Sequence, residues 1–169
     1  MICRVHAGGA TEDTEDTEIS TEKCGREKAT EGQMMDEAFV DEEMEPNPEW
    51  NRITNLIIGA AIAVHKELGP GHLESVYENA MALEFNARNI RFVKQAVFTI
   101  MYRNEQVGEG RIDFLVEDKV IVELKAIETI SSLHVAQSIS YLKMTKKRLA
   151  LIINFNVKKL VDGIRRIAL

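Results

Sequence analysis

From residue 53 the apolar positions fall at helical steps. Ile53, Leu56, Ile57, Ala60, Ala61, Val64 and Leu68 recur three or four residues apart, which predicts an amphipathic helix with one buried stripe. Gly69-Pro70-Gly71 ends it, because glycine accepts the left-handed cap conformation and proline cannot continue a helix. Leu73, Val76, Tyr77, Ala80, Met81 and Leu83 predict a second helix running to about Asn89. At Arg91 the period changes to two. Phe92 to Tyr102, Val107 to Val116 and Val120 to Ile127 read as three strands joined by turns at Asn104-Glu105 and Glu117-Asp118, an antiparallel meander. Ser131 or Ser132 caps a third helix reaching about Met144, Arg148 to Phe155 is a buried fourth strand, and Asn156 caps a last helix to about Ile167. A strand reached through a helix is a crossover, so the fourth strand should pair in parallel with one already in the sheet. The expected fold is α/β: a mixed four-stranded sheet flanked by helices.

Composition changes this picture at one end only. The 169 residues are 45% hydrophobic and 28% charged, ordinary for one globular domain. The longest apolar run, Leu56 to Val64, is far short of the roughly 18 residues that a membrane span needs. Charge divides the chain: residues 1–50 hold 15 Asp and Glu against 4 Lys and Arg, leaving 12 acidic and 17 basic residues in 51–169. The first 50 residues, with the repeated Thr-Glu-Asp of Thr11 to Asp16 and no sustained apolar period, are expected to be an acidic, disordered tail, and 51–169 the folded domain. Met34, Met35 and Met44 are alternative start positions within the tail. Both cysteines, Cys3 and Cys24, lie there too, so a disulfide framework or cysteine-ligated metal is not expected in the domain. With no apolar segment at the start, the expected location is cytoplasmic, with no membrane association.

Several polar residues resist the pattern. The third strand is apolar enough to be buried on both faces, yet carries Glu123 and Lys125, two apart and therefore on one face. An ion pair near the strand end accounts for them equally well. Asp113, in Arg111-Ile112-Asp113-Phe114, alternates with its apolar neighbours, and the hairpin can bring it beside Glu123. Two adjacent carboxylates repel, and a divalent cation is the usual reason to tolerate them, although a solvent-facing sheet edge would also do so. Oxygen ligands without His or Cys favour Mg²⁺ or Mn²⁺ over zinc. Glu74 and Tyr77 share one face of the second helix, where Glu74 also suits the helix dipole, and Gln137 and Tyr141 are an i, i+4 pair on the third helix. His65, His72 and His134 have no metal-ligand spacing. Lys94, Arg103, Arg111, Lys143, Lys146, Lys147 and Arg148 are candidates for phosphate contacts that position a strand without reading its bases.

In order along the chain, Gly71-His72-Leu73-Glu74-Ser75-Val76-Tyr77, Arg111-Ile112-Asp113, Val122-Glu123-Leu124-Lys125-Ala126, Gln137 through Tyr141, and Leu151 to Asn156 resemble the bacterial GxxExxY protein family, placed in the PD-(D/E)xK nuclease superfamily. The resemblance covers essentially all of 51–169. It implies a restriction-endonuclease-like α-β-β-β-α-β core with an extra helix at each end. It further implies Asp113 and Glu123 as metal-binding acids, Lys125 as catalytic lysine, Glu74 as a third acid completing the metal site, and Gln137 with Tyr141 as an element of the RecB-like branch. Tyr77 and Arg111 are expected to support the site or touch substrate. The implied activity is Mg²⁺- or Mn²⁺-dependent hydrolysis of phosphodiester bonds in nucleic acid, DNA in first place, without strong sequence specificity. The alternative is a non-catalytic module on the same fold that binds nucleic acid or a protein partner.

Overall fold

The computed structural model describes residues 47–169. The expectations for Cys3, Cys24, the alternative starts and the disorder of the acidic segment lie outside the described residues. Helix α1 spans Pro48–Leu68. It begins inside the segment that composition assigns to the tail, because the Asn47 side chain accepts from the amides of Glu49 and Trp50 and proline suits the first helical position. Gly69, at φ 70°, closes it as expected. Helix α2 covers Glu74–Ala87. Strands β1 (Phe92–Tyr102) and β2 (Glu105–Val116) form a long antiparallel hairpin whose turn residues, Arg103 and Asn104, both take positive φ, the geometry that suits a tight hairpin. Strand β3 (Val120–Lys125) follows the turn at Glu117 and Asp118, helix α3 spans Ser132–Thr145, and strand β4 (Leu149–Asn154) pairs with β3 in parallel, as its crossover requires.

The chain then departs from expectation. Instead of a helix from Asn156 to Ile167 there is a short 3-10 turn, Leu160–Gly163, and a fifth strand, β5 (Ile164–Ala168), antiparallel to β4. Leu160, Ile164 and Ile167 sit at spacings that satisfy a helix, but β4 would otherwise be an unpaired edge with all six of its residues buried. Pairing with Ile164–Ala168 satisfies that edge, and tertiary context overrides the local pattern. The sheet is therefore five-stranded in the order β1-β2-β3-β4-β5.

Side chains alternate between two apolar layers. Val120, Val122, Leu124, Leu149, Leu151 and Ile153 meet α1 and α2 through Ile53, Ile57, Tyr77, Met81 and Phe85. On the other face Ile121, Ala150, Ile152 and Ile167 meet α3 through Leu142 and Ile139. The hairpin does not keep to this alternation. Phe92 and Phe114 belong to the α1/α2 layer, whereas Ala96, Phe98 and Ile112, of the same parity, belong to the α3 layer. The ribbon crosses from one face to the other as it passes Gln95 and Asp113, so Ile112 and Phe114 are not the same-facing pair that strict alternation predicts.

Gly163 is required by close approach rather than by φ: a Cβ there would lie 2.3 Å from the carbonyl oxygen of Asn154. Gly163→Ala is expected to lower stability by about 1–3 kcal/mol through overpacking at the β4–β5 junction, measurable as a lower midpoint in chemical denaturation. A variant as stable as wild type would show that the 3-10 turn is not held against β4.

Candidate active site

The ladder between β2 and β3 is short. It pairs Phe114 with Val122, Leu115 with Ile121 and Val116 with Val120, and stops there. Beyond this point β3 continues beside β4 to the rung of Lys125 with Asn154, while β2 stays with β1. The sheet forks, and the next rung, which is not formed, would have joined Asp113 to Glu123. In its place the Asp113 carboxylate reaches across: Oδ2 accepts from the Leu124 amide at 2.8 Å. A side chain thus satisfies a backbone donor that the parting strands leave free.

Glu123 is 4% exposed and faces the α3 side of the sheet, with Ile121. The Lys125 Nζ lies 3.5 Å from its Oε2. Its Oε1 is buried and has no hydrogen-bond partner. Burial, reinforced by the negative charge of Asp113 and only partly offset by Lys125, pushes its pKa from 4.5 up to about 7. The Asp113 carboxyl is also raised. Burial is the main cause, Glu78 adds to it, and the Leu124 amide, Lys125 and Gln95 counter it. Glu74, in the first turn of α2, is raised by burial and by Asp113 and Glu78 against the pull of Lys125. Lys125 is therefore the cation common to Glu74, Asp113 and Glu123.

A hard cation fits the orphaned Oε1 of Glu123 and the neighbouring Asp113 carboxylate, since both are anionic oxygens in a place that disfavours charge. Glu74 does not complete the site as expected. Among the described residues no group of three or more His, Cys, Asp and Glu side chains stands close enough to hold a metal ion. The Glu74 residue is solvent-accessible at the start of α2 while the neighbouring protein partly desolvates its carboxyl, and it senses the other acids through its charge.

The remaining expected residues separate. Tyr77 cannot touch substrate: it is fully buried, its hydroxyl donates to the Gly69 carbonyl at 2.7 Å and accepts from the His72 amide at 3.2 Å, and its ring stacks on Phe155. It clamps the turn that leads into α2. Gln137 donates to the Tyr141 hydroxyl at 2.9 Å, and Tyr141 packs edge-on against Phe98 of the hairpin. No hydrogen bond among the described residues joins either to Asp113, Glu123 or Lys125. Arg111 is exposed on β2, two residues from Asp113. Lys147 binds Asp118, and Arg148 binds the Leu169 carbonyl and lies over Trp50. Both flank the start of β4, which pairs with the start of β3, about 17 Å along the strands from Lys125, so they are remote from the acids.

Three polar residues were missed. Glu78 lies one turn after Glu74 on the same helical face, a spacing that could have signalled it. Gln95 follows Lys94, and two adjacent polar residues break the alternation of β1. Asn154 interrupts an apolar strand. It is buried, and its amide exchanges hydrogen bonds with the backbone of Ile127, fixing the loop that leaves Lys125.

The raised Glu123 pKa has a signed consequence. Between about pH 4.5 and 7 the folded chain binds more protons at Glu123 than the unfolded chain does. Its contribution is therefore most favourable below the ordinary carboxylate range and is lost as pH rises through about 7, at about 1.4 kcal/mol per pH unit within that window. Glu123→Gln should match wild-type stability near pH 4 and exceed it by about 2–3 kcal/mol at pH 8 without metal. Equal stabilities across this range, in urea melts at each pH, would remove the claim that Glu123 is a strained, buried acid.

The described residues contain no helix long and apolar enough to cross a membrane. A comparison with curated proteins finds no match. A family model described as the PD-(D/E)XK nuclease superfamily matches residues 51–167, a span from α1 into β5 that takes in the fork and every acid described above. Proteins of that superfamily act on nucleic acid and typically use divalent metal ions. The five-stranded mixed sheet between helices is consistent with its restriction-endonuclease-like fold. On that match, covering well over half of its length, the chain belongs to the PD-(D/E)XK nuclease superfamily.

Proposed function

We propose that the protein is a metal-dependent nuclease that hydrolyses phosphodiester bonds, with DNA as substrate and Mg²⁺ or Mn²⁺ as cofactor, and that it falls in the GxxExxY group on the segment Gly71 to Tyr77. The observation that carries this reading is the buried, unpartnered Glu123 Oε1 beside Asp113 and Lys125, at the fork where β2 leaves β3. Asp113 and Glu123 would hold the cation, which when bound supplies Lewis acidity and stabilises negative charge. The Leu124 amide keeps Asp113 turned toward the fork. Lys125, held at Glu123, presents an ammonium that orients the attacking water and meets the charge developing on the phosphoryl oxygens. Glu74, at the rim, tunes Lys125 through its charge. Exposed Arg111 contacts the phosphate backbone.

Among the described residues there is no cysteine for a zinc module, and the cations near the fork, Arg111 and Lys125, suit phosphate rather than base edges, so cutting is without strong sequence preference. One observation favours the non-catalytic alternative: the described acids do not converge as a three-ligand cage. Turnover separates the two readings.

With Mn²⁺ or Mg²⁺ the wild type should degrade DNA, and chelator should stop it. Asp113→Asn and Lys125→Ala should each lower kcat by about 100-fold or more while leaving the fold intact. Asp113→Asn should also weaken Mn²⁺ binding measured by calorimetry. Cleavage that survives either substitution at the wild-type rate would reject the assignment. Nucleic-acid binding without turnover under any metal would establish the alternative.

A further inference from the structure

Among the described residues Gln95 is the one non-glycine residue in the interior of a paired strand that takes a positive φ, at 53°. The rungs on either side are formed, Lys94 with Phe114 and Ala96 with Ile112, and the one between them, where Gln95 would meet Asp113, is missing. Side chains rarely adopt this conformation inside a strand, so it persists because surrounding contacts hold it. Those contacts are on α2. The Gln95 amide donates to Oε1 of Glu78, and next to it Lys94 donates to Asn79 at 2.7 Å and lies 3.8 Å from Glu78. On β2 the residue opposite Gln95 across the missing rung is Asp113.

The chemistry of the position is specific. Glu78 and Asp113 repel each other, and a primary amide donates without a charge of its own, so it can hold Glu78 without adding charge beside Asp113. Glutamate there would add a third negative charge. From the other side, the Leu124 amide grips Oδ2 of Asp113. The Asp113 carboxylate is thus fixed between β1 and β3 at the point where the sheet opens.

We propose that Gln95 is a positioning residue: its amide clamps Glu78, holding α2 against the break in β1 opposite Asp113 and so aiming the Asp113 carboxylate into the fork. The catalytic side of this inference rests on the nuclease reading above, and the clamp itself does not.

Glycine tests it, because glycine accepts φ 53° without strain and removes the side chain that carries the amide. Gln95→Gly should fold, yet bind Mn²⁺ about 10-fold more weakly by calorimetry. Its kcat on DNA should fall about 10- to 100-fold with KM little changed, as expected when an outer partner of a metal ligand is lost. In metal-free protein a double-mutant cycle of Gln95→Gly with Glu78→Gln should show coupling of about 3-fold or more in the unfolding constant. Gln95→Glu should loosen α2 further than Gln95→Gly does, seen as faster amide exchange in its first two turns. Additive effects in the cycle, or Gln95→Gly with wild-type Mn²⁺ affinity and turnover, would overturn the proposal. A wild type that neither binds Mn²⁺ nor cleaves would refute the nuclease reading instead, and the metal-free cycle would still decide whether the clamp exists.

Discussion

A carboxylate held where water does not reach is the constraint from which this structure follows. Glu123 is flanked along β3 by Val122 and Leu124, both fully buried, and its own side chain is nearly as inaccessible. Such a group costs several kcal/mol as an unpaired charge, so its surroundings must either neutralise it or give it a partner. Lys125 does part of this from 3.5 Å, and the raised pKa shows that it does not do all of it. Placing Asp113 nearby makes the problem worse, not better. An arrangement serving stability alone would put an apolar residue at one of these two positions. Retaining both acids is a cost in the folded state of the kind that sites for chemistry carry.

The fork explains how the backbone accommodates that cost. A continuous β2–β3 ladder would pair Asp113 with Glu123 directly and press their side chains together. Parting the strands after Phe114 and Val122 opens space, and the Asp113 side chain then supplies the acceptor that the Leu124 amide loses. The same parting frees β2 to follow β1, and the ribbon swings across the sheet to pack Phe98 on Tyr141. Local electrostatics and the shape of the hairpin are one feature seen at two scales.

Much of this was readable from residue order. The change of period at Arg91, the turn at Glu117 and Asp118, and the crossover through α3 are local signals, and they suffice to bring Asp113 to the level of Glu123 and to make β4 parallel to β3. What was not readable depends on partners distant in sequence. Ile164–Ala168 looks helical until the bare edge of β4 is considered. Tyr77 looks available to substrate until Phe155 and Gly69, brought together by the fold, are seen to enclose it. Lys147 and Arg148 look like a phosphate-binding cluster, but strand direction puts them at the wrong end of the sheet. Gln95 is the hardest case, because its positive φ goes with a bond to Glu78 on α2 and no propensity at residues 93–97 encodes it.

The charge balance bears on how a cation and a proton share the site. Glu74, Glu78, Asp113 and Glu123 surround the fork, where Lys125 is the cation common to Glu74, Asp113 and Glu123, and Lys94 is occupied at Glu78 and Asn79. Negative charge exceeds positive charge there even after both lysines are counted. With a pKa near 7, Glu123 answers this excess by taking a proton in mildly acidic solution. Under the nuclease reading Asp113 and Glu123 would hold a divalent cation, which would supply more positive charge here than one proton does. Cation and proton would then compete for the Glu123 carboxylate, and affinity for the cation would rise with pH. An ammonium at Lys125 suits this place: it is compact, and it stands beside Oε2 of Glu123 while leaving Oε1 without a partner.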